Sequence, residues 1–149
     1  MKKIIILALA TIAMVSCKQA APVEPEVTPT SDSVVVEAEP LADLPNMETK
    51  TMVNFKGGKG SIEMKLFQQG ETKIMLCTLP PHTSVGYHVH DTSMEVVLVQ
   101  EGTATIDLDN KGPQEYAQGQ AHYCAKGHGH SISNNTDHDV VIYNVVAAQ

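Results

Sequence analysis

The sequence predicts one all-β domain over residues 46–149 of the 149-residue chain. Short runs rich in β-branched and apolar residues recur along this region, and turn-forming residues separate them at intervals of roughly ten residues. No segment of the region has the 3.6-residue apolar period of an amphipathic helix. No internal repeat is visible, and a region of this size can form a single hydrophobic core. The pattern therefore indicates one β-sandwich or closed barrel.

The predicted strands have clear boundaries. A glycine-rich segment at 57–60 closes the first run, and apolar residues alternate along the second run, as in a half-buried strand. Polar turns at 68–71 and 109–112, together with Pro80-Pro81, bound later strands. The nine predicted strands are 51–55, 61–67, 73–79, 85–90, 95–100, 103–108, 121–124, 130–133 and 140–146.

The N-terminus has the features of an export signal. Two lysines precede a short apolar run over residues 4–15, which is below the ~20 residues of a transmembrane helix. The run ends at Met14-Val15-Ser16-Cys17, which resembles the lipobox of bacterial lipoproteins, although Met14 stands where that motif usually has Leu. The resemblance implies a lipoprotein signal peptide at 1–16 and lipidation of Cys17. The alternative is a plain secretory signal in which Cys17 has no role.

Residues 17–45 are expected to form an acidic, proline-rich tether. Five of the eight prolines lie here, and acidic residues outnumber lysines, so the segment has little apolar surface to bury. Val34–Val36 is the exception and could add a short edge strand. Lys18 and Gln19 follow the cysteine without an acidic residue, which favours the outer membrane. We therefore expect an exported, lipid-anchored protein of the bacterial envelope, attached to the membrane through its lipid anchor only.

Histidines concentrate where a metal site could form. All seven lie between His82 and His138. Residues two apart on a strand project to the same side, so His88 and His90 point together, and Glu95 opens the next strand after a short turn. His130 shares a strand face with Ile132 and Asn134. Three imidazoles and one carboxylate from different strands would leave one or two positions of an octahedral cation open.

Two motifs at these residues resemble those of the cupin superfamily. The first is Gly, five residues, His-x-His, three or four residues, Glu, six residues, Gly; the second is Gly, five residues, Pro-x-Gly, two residues, His, three residues, Asn. Segment 82–102 matches the first at His88, His90, Glu95 and Gly102, and segment 119–134 matches the second at Gly119, Gly127, His130 and Asn134. His82 replaces the first glycine and Ala125 replaces the proline, which leaves the loop shapes at both positions open.

The resemblance implies a single-domain jelly-roll β-barrel (the double-stranded β-helix) that encloses a metal. The implied ligands are His88, His90, Glu95 and His130, and the cation is a divalent transition metal: Fe, Mn, Ni, Zn or Cu. The alternative is a metal-free barrel filled by these polar side chains, although metal-free relatives usually lack part of the ligand set. Small cupins often pair, so a homodimer is also expected.

Composition narrows the function without identifying it. The formal net charge is −7 and the chain has no Arg, which excludes a nucleic-acid-binding surface and leaves no bidentate anchor for a phosphate. The favoured function is a metal-dependent oxygenase, lyase or isomerase acting on a small chelating molecule, with Glu95 as catalytic base by resemblance to dioxygenase-type cupins. The alternatives are a non-catalytic module that binds a small ligand or a sugar, and a structural envelope protein with a stabilising metal.

The remaining cysteines and histidines have no assigned role. An exported protein could join Cys77 and Cys124 in a disulfide, but each is equally compatible with a small buried apolar residue. His82 and His128 could lie near the mouth of the site. His122 is expected to pack or to lie at the surface, and His138 to lie in a solvated turn.

Overall fold

The computed structural model describes residues 42–149, which form ten β-strands and two short 3-10 turns. The strands are β1 (Lys50–Val53), β2 (Ser61–Gln69), β3 (Thr72–Leu79), β4 (Ser84–Val89), β5 (Ser93–Glu101), β6 (Thr103–Leu108), β7 (Pro113–Ala117), β8 (Ala121–Cys124), β9 (Gly129–Ser133) and β10 (Val140–Ala148). The 3-10 turns are Leu44–Asn46 and Phe55–Gly57. Between residues 42 and 149 there is no helix with the length and apolarity needed to cross a bilayer. The predicted signal peptide, Cys17 and Val34–Val36 lie outside the described residues.

The strands form two antiparallel sheets. The six-stranded sheet has the order β1-β2-β3-β10-β5-β8, and the four-stranded sheet has the order β4-β9-β6-β7. Consecutive strands from β3 to β6 alternate between the sheets, and β10 returns to lie between β3 and β5. This connectivity is that of a jelly roll, which confirms the predicted all-β fold class.

Strand β7 was not predicted from the sequence. It begins at Pro113, which has no amide hydrogen to donate, and it pairs only with β6 at the edge of the four-stranded sheet. Four of its five residues are exposed, and only Tyr116 is partly buried. An exposed edge strand lacks the alternating apolar pattern by which the other nine were recognised.

The core lies between the two sheets. Inward positions alternate with outward ones along each strand, and in β5 the buried residues are Glu95, Val97 and Val99. The most deeply buried apolar side chains are Ile62, Leu79, Val97, Val99, Ala104, Ile106, Ile132, Val140 and Ile142. Burial of so much apolar surface is the main stabilising contribution to the fold, and the strands that carry the polar site are built into this core.

Backbone conformation at a few positions explains how the loops close and pack. Gly102 has φ +80° between β5 and β6, a left-handed conformation that glycine adopts without strain. Gly58 and Gly86 bring two backbones together: a Cβ on Gly86 would lie 2.2 Å from the carbonyl oxygen of Lys56. His82, which replaces the family's glycine, keeps the left-handed backbone with φ +58°, and its Nε2 lies 3.0 Å from Asp137 Oδ1. The loop shape at this position is therefore retained despite the substitution.

Cys77 and Cys124 are both buried and free, so the structure has no disulfide between them. Burial raises the pKa of Cys77 to about 12, and the Glu95 carboxylate acts in the same direction. Burial likewise raises the pKa of Cys124 to about 11. Both thiols are therefore neutral at physiological pH and pack as small apolar side chains.

Candidate metal centre

The four predicted ligands come from three strands and meet between the sheets. His88 lies in β4 opposite His130 of β9 in the register of the four-stranded sheet, and His90 directly follows β4. Glu95 reaches the same point from β5 of the six-stranded sheet. One nitrogen of each imidazole and one carboxylate oxygen all lie within 4.8 Å of one another. The grouping predicted from the motifs is therefore present.

The carboxylate oxygen Oε2 of Glu95 is the common neighbour of the three imidazoles. It lies 2.9 Å from His90 Nε2, 3.0 Å from His130 Nε2 and 3.7 Å from His88 Nε2. The Nε2 atoms of His90 and His130 are 3.3 Å apart. Three of the four side chains, His90, Glu95 and His130, are buried, so these polar atoms are withdrawn from water.

These separations fit a bound transition metal. With metal–ligand bonds of about 2.1 Å, adjacent ligand atoms of an octahedron lie about 3.0 Å apart and opposite atoms about 4.2 Å apart. From Glu95 Oε2, the separations of 2.9 Å to His90 and 3.0 Å to His130 match adjacent positions, and the 3.7 Å to His88 lies between the adjacent and opposite values. Imidazole nitrogen with carboxylate oxygen is a donor set that suits Fe, Mn, Ni, Zn and Cu. The residues therefore fit the predicted cation.

The ring orientations of two histidines are fixed by hydrogen bonds away from the site. His88 Nδ1 lies 3.0 Å from the carbonyl oxygen of Gly86, and His90 Nδ1 lies 3.2 Å from Ser93 Oγ. A carbonyl can only accept, so His88 carries its proton on Nδ1 and leaves the Nε2 lone pair for a metal. His130 Nδ1 is buried and has no hydrogen-bond partner among residues 42–149.

Glu95 is held in its ionised form. Burial raises its pKa, but the neighbouring imidazoles of His130, His88 and His90 and the amide of Asn144 outweigh burial and hold the pKa well below the usual range. Asn144 Nδ2 donates to Oε1, the oxygen on the other side of the carboxylate from the imidazoles. The carboxylate therefore presents one anionic oxygen to the site and is tied back through the other.

Two neighbours of the site were not identified from the sequence. Asn144 is a buried polar residue on the otherwise apolar inner face of β10, between Ile142 and Val146, and this break in the alternation was the available signal. His122 is buried, which agrees with the first of the two expectations for it, packing rather than surface exposure. Its ring stacks on that of His130 with centroids 5.3 Å apart. Only the tertiary structure shows that β8 places it there.

A family model for the cupin domain matches residues 75–146. The oxalate-binding protein of Thermotoga maritima is 34% identical to this chain over 92 residues, which cover 56% of this chain and 75% of that protein. The chain belongs to the cupin family. The matched residues include both sequence motifs, and the fold and the four converging side chains agree with this membership.

Solved structures agree on the fold of this cupin. A structure from Thermotoga maritima described as a predicted oxalate decarboxylase has a TM-score of 0.67 at 23% identity, covering 71% of this chain and 96% of that one. A sugar phosphate isomerase of the cupin superfamily from Silicibacter pomeroyi has a TM-score of 0.61 at 21% identity, covering 74% of this chain and 76% of that one. Likeness at these identities shows the fold alone.

The candidate metal centre of this cupin opens onto a cavity of about 500 Å³. The lining combines site residues with apolar side chains of both sheets and a few polar side chains at the rim. Its apolar part is formed by Met52, Phe55, Met64, Leu66, Met75, Cys77, Val85, Val89, Ile132, Ile142 and Val146. The polar part beyond the ligands is formed by Lys56, Gln68, Lys73, Asp91, Thr92, Ser93 and Asn144. The size suits a small molecule.

The other histidines do not line this cavity. His82 contacts Asp137, and His128 Nδ1 lies 2.8 Å from Asp109 Oδ2. This His128 hydrogen bond, followed by that from Lys111, holds the pKa of Asp109 well below its usual range. His138 is exposed, as predicted. Neither His82 nor His128 therefore lies at the mouth of the candidate metal centre, a position that the sequence analysis had allowed for both.

Proposed function

We propose that this cupin binds one divalent transition metal through His88, His90, Glu95 and His130 and acts on a small chelating molecule held in the adjoining cavity. The observation that carries the proposal is the convergence of these four side chains, three of which line a cavity large enough for a ligand. The reaction class we favour is that of an oxygenase, lyase or isomerase. The metal itself is one of Fe, Mn, Ni, Zn and Cu.

The side chains around the site define what the protein contributes to such a reaction. A cation at this position would polarise an oxygen atom of a bound chelator. Val85, Ile132 and Ile142 exclude water from one side of the cavity, which strengthens electrostatic interactions within it. We propose that Glu95 is a ligand through Oε2, which faces the site while Asn144 secures Oε1. We propose that it is also the proton acceptor once detached from the metal and the imidazoles, because those contacts keep its pKa low.

The ligand we propose is a small molecule with chelating oxygen atoms, and a carboxylate is the chelating group with the best support. The Thermotoga maritima relative is an oxalate-binding protein by name, and oxalate is a chelating dicarboxylate. The absence of Arg from the chain makes the metal the main anchor for such a group.

A non-catalytic binding module is the second candidate. The name of the same relative favours it, because it specifies binding and no reaction. The two candidates share the metal centre and differ only in turnover. An envelope protein that uses the metal for stability alone would bind the cation but no chelator.

The decisive experiment measures metal content, chelator binding and turnover in one series. We expect about one transition metal per chain in the wild type and little in His130→Ala, with His138→Ala as a control that leaves the site intact. Fe(II)-, Mn(II)- and Ni(II)-loaded protein would be screened with oxalate, 2-oxo acids, enediols and catechols, following binding, oxygen uptake and product mass. Turnover that is lost in Glu95→Gln supports the enzyme, and binding without turnover supports the module. Unchanged metal content in His130→Ala would refute the metal centre.

We further propose that the protein is exported and lipid-anchored at Cys17, in the outer membrane. The support is the lipobox-like sequence Met14–Cys17 and the residues Lys18 and Gln19 that follow it. A lipoprotein carries more than one acyl chain, and several chains hold a protein stably on a bilayer. Labelled fatty acid should enter the wild-type chain and should not enter Cys17→Ala; equal labelling of both would contradict the anchor.

We also propose that the cupin pairs with a second copy through the outer face of its six-stranded sheet. Two transverse rows of apolar side chains cross this face in register. They comprise Phe67, Ile74, Val145, Val96 and Tyr123 in one row and Leu76, Tyr143, Leu98 and Ala121 in the other. Leu98 and Tyr123 are 39% and 51% exposed, which is unusual for large apolar residues so close together. In analytical ultracentrifugation, the wild type should sediment as a dimer and Leu98→Lys should sediment as a monomer.

A further inference from the structure

Lys73 of β3 stands in the same transverse row of the six-stranded sheet as the predicted metal ligand Glu95. In the register of the sheet, Lys73 pairs with Val146 of β10, and Val146 pairs with Glu95 of β5. Directly paired residues of antiparallel strands project to the same face. Lys73 therefore extends from the inner face, two strands away from Glu95, and its side chain lines the same cavity.

The separation suits a group that spans from the metal centre to the lysine. Strands lie about 4.8 Å apart, so two steps across the sheet place the two Cα atoms about 10 Å apart. The ammonium of lysine sits on a flexible four-carbon stem and can approach a molecule held beside the Glu95 carboxylate. Val146, between the two residues, is apolar and lines the cavity, so it offers no competing acceptor.

The charge of Lys73 has no carboxylate to neutralise it. None of the ion pairs formed within residues 42–149 involves this residue, although its side chain is half-buried. Its register partner on β2 is the neutral Gln68. Two other charged residues, Asp91 and Lys56, line the cavity near its rim, and both are exposed. The ammonium of Lys56 lies 5.8 Å from the centre of the Phe55 ring. A half-buried cation without a partner is the feature expected of an anion-binding position.

We propose that Lys73 is the anion anchor of this cavity, and that the ligand is a chelating dicarboxylate. One end of the ligand supplies chelating oxygens to the metal, and a second carboxylate accepts a hydrogen bond from Lys73 Nζ. The inference rests on the proposed function, since it takes the metal to hold the first end. It narrows the ligand from chelators in general to dianions and disfavours neutral chelators such as catechols.

Two five-carbon probes test this directly, because they share their chelating end. 2-Oxoglutarate has a carboxylate at the far end, and 2-oxopentanoate has a methyl group there. Calorimetric titrations would use the full-length, metal-loaded wild type, Lys73→Met, Lys73→Arg and Lys59→Met. Methionine preserves most of the length of the side chain without its charge, and Lys59 is an exposed lysine outside the cavity lining.

We expect Lys73→Met to weaken the binding of 2-oxoglutarate by about tenfold or more, which is the usual effect of losing a charge-assisted hydrogen bond. The same substitution should weaken the binding of 2-oxopentanoate by less than about threefold, because that probe has no second carboxylate. Lys73→Arg should restore most of the difference in affinity between the two probes, and Lys59→Met should bind both probes as the wild type does. Equal weakening of both probes, or of neither, would overturn the anchor. Failure of both probes to bind the metal-loaded wild type would also overturn it, while metal content and its loss in His130→Ala would still decide the metal centre separately.

Discussion

Asn144 Nδ2 donates a hydrogen bond to Glu95 Oε1, and this contact determines which carboxylate oxygen faces the three imidazoles. The two residues lie on the adjacent strands β10 and β5, both on the inner face of the sheet. Asn144 Oδ1 is buried and has no hydrogen-bond partner within the described part of the chain. The asparagine therefore serves Glu95 through its amide nitrogen, and a buried unpaired acceptor is the cost of that arrangement.

Replacing Asn144 by leucine should weaken metal binding without unfolding the protein. Leucine has the same branched shape and the same number of side-chain heavy atoms and removes the unpaired oxygen, but it leaves Glu95 Oε1 without its donor. Loss of a hydrogen bond that orients a metal ligand typically costs about 10- to 100-fold in metal affinity. Competition with a chromophoric chelator would measure the affinity, and urea unfolding of the metal-free protein would verify the fold. An affinity equal to that of the wild type would show that Asn144 does not position the ligand.

Asn134 has a structural role, although it belongs to the second sequence motif. Its Nδ2 donates to the carbonyl oxygens of Leu79 at 2.8 Å, His138 at 2.7 Å and Pro80 at 3.1 Å. Its Oδ1 accepts from the amide and the hydroxyl of Thr136. One buried side chain thus joins the end of β3 to the loop between β9 and β10, and it lies outside the cavity lining.

Asn134→Ala should therefore destabilise the fold while leaving the metal ligands in place. Several buried polar groups would lose their partner, and we expect a loss of about 2–4 kcal/mol in the free energy of unfolding. The neighbouring Asn135→Ala is the matched control, because Asn135 is exposed and its amide reaches only Thr105 Oγ1, so a change within about 0.5 kcal/mol is expected. Metal content of the folded Asn134→Ala protein should equal that of the wild type. A loss of metal without a loss of stability would contradict this assignment.

The parts of the fold and site that could be predicted are those with a local sequence signal. Val97 and Val99 alternate with outward residues after Glu95, so the strand and its buried face could be inferred before the structure was known. The spacing of His88, His90, Glu95 and His130 likewise predicted a grouping that the structure confirms. The placement of Lys73 in the row of Glu95 could not be inferred, because it depends on β10 pairing with both β3 and β5. Such long-range register is set by the whole sheet.

Metal occupancy should fall as the pH is lowered below about 6. An imidazole must be neutral to donate its lone pair to a metal, and the ordinary pKa of a histidine is about 6.5. Dialysis of the metal-loaded protein at pH 7.5, 6.5 and 5.5, followed by metal analysis, would measure the loss. Circular dichroism at each pH would separate metal release from unfolding. Full occupancy at pH 5.5 in a folded protein would contradict ligation by three histidines.

The buried ring of His122 should make the metal-free protein less stable in mild acid. Burial lowers the pKa of His122, the neighbouring His130 lowers it further, and the Glu95 carboxylate partly opposes them. Because the folded-state pKa lies below the unfolded value of about 6.5, the unfolded chain takes up more protons as the pH falls. The contribution of neutral His122 is therefore complete above about pH 6.5 and declines below it, by at most about 1.4 kcal/mol per pH unit.

His122→Phe keeps a ring stacked on His130 and removes the titrating group. In the presence of a chelator, its free energy of unfolding should fall less between pH 7.5 and pH 5.5 than that of the wild type. Tyr116→Phe is the control, since it removes the hydroxyl that lies 3.2 Å from His122 Nδ1 but leaves the imidazole in place. That variant should keep a wild-type-like dependence on pH. Urea unfolding at four pH values would measure all three proteins, and parallel curves for His122→Phe and the wild type would show that proton uptake at His122 does not contribute.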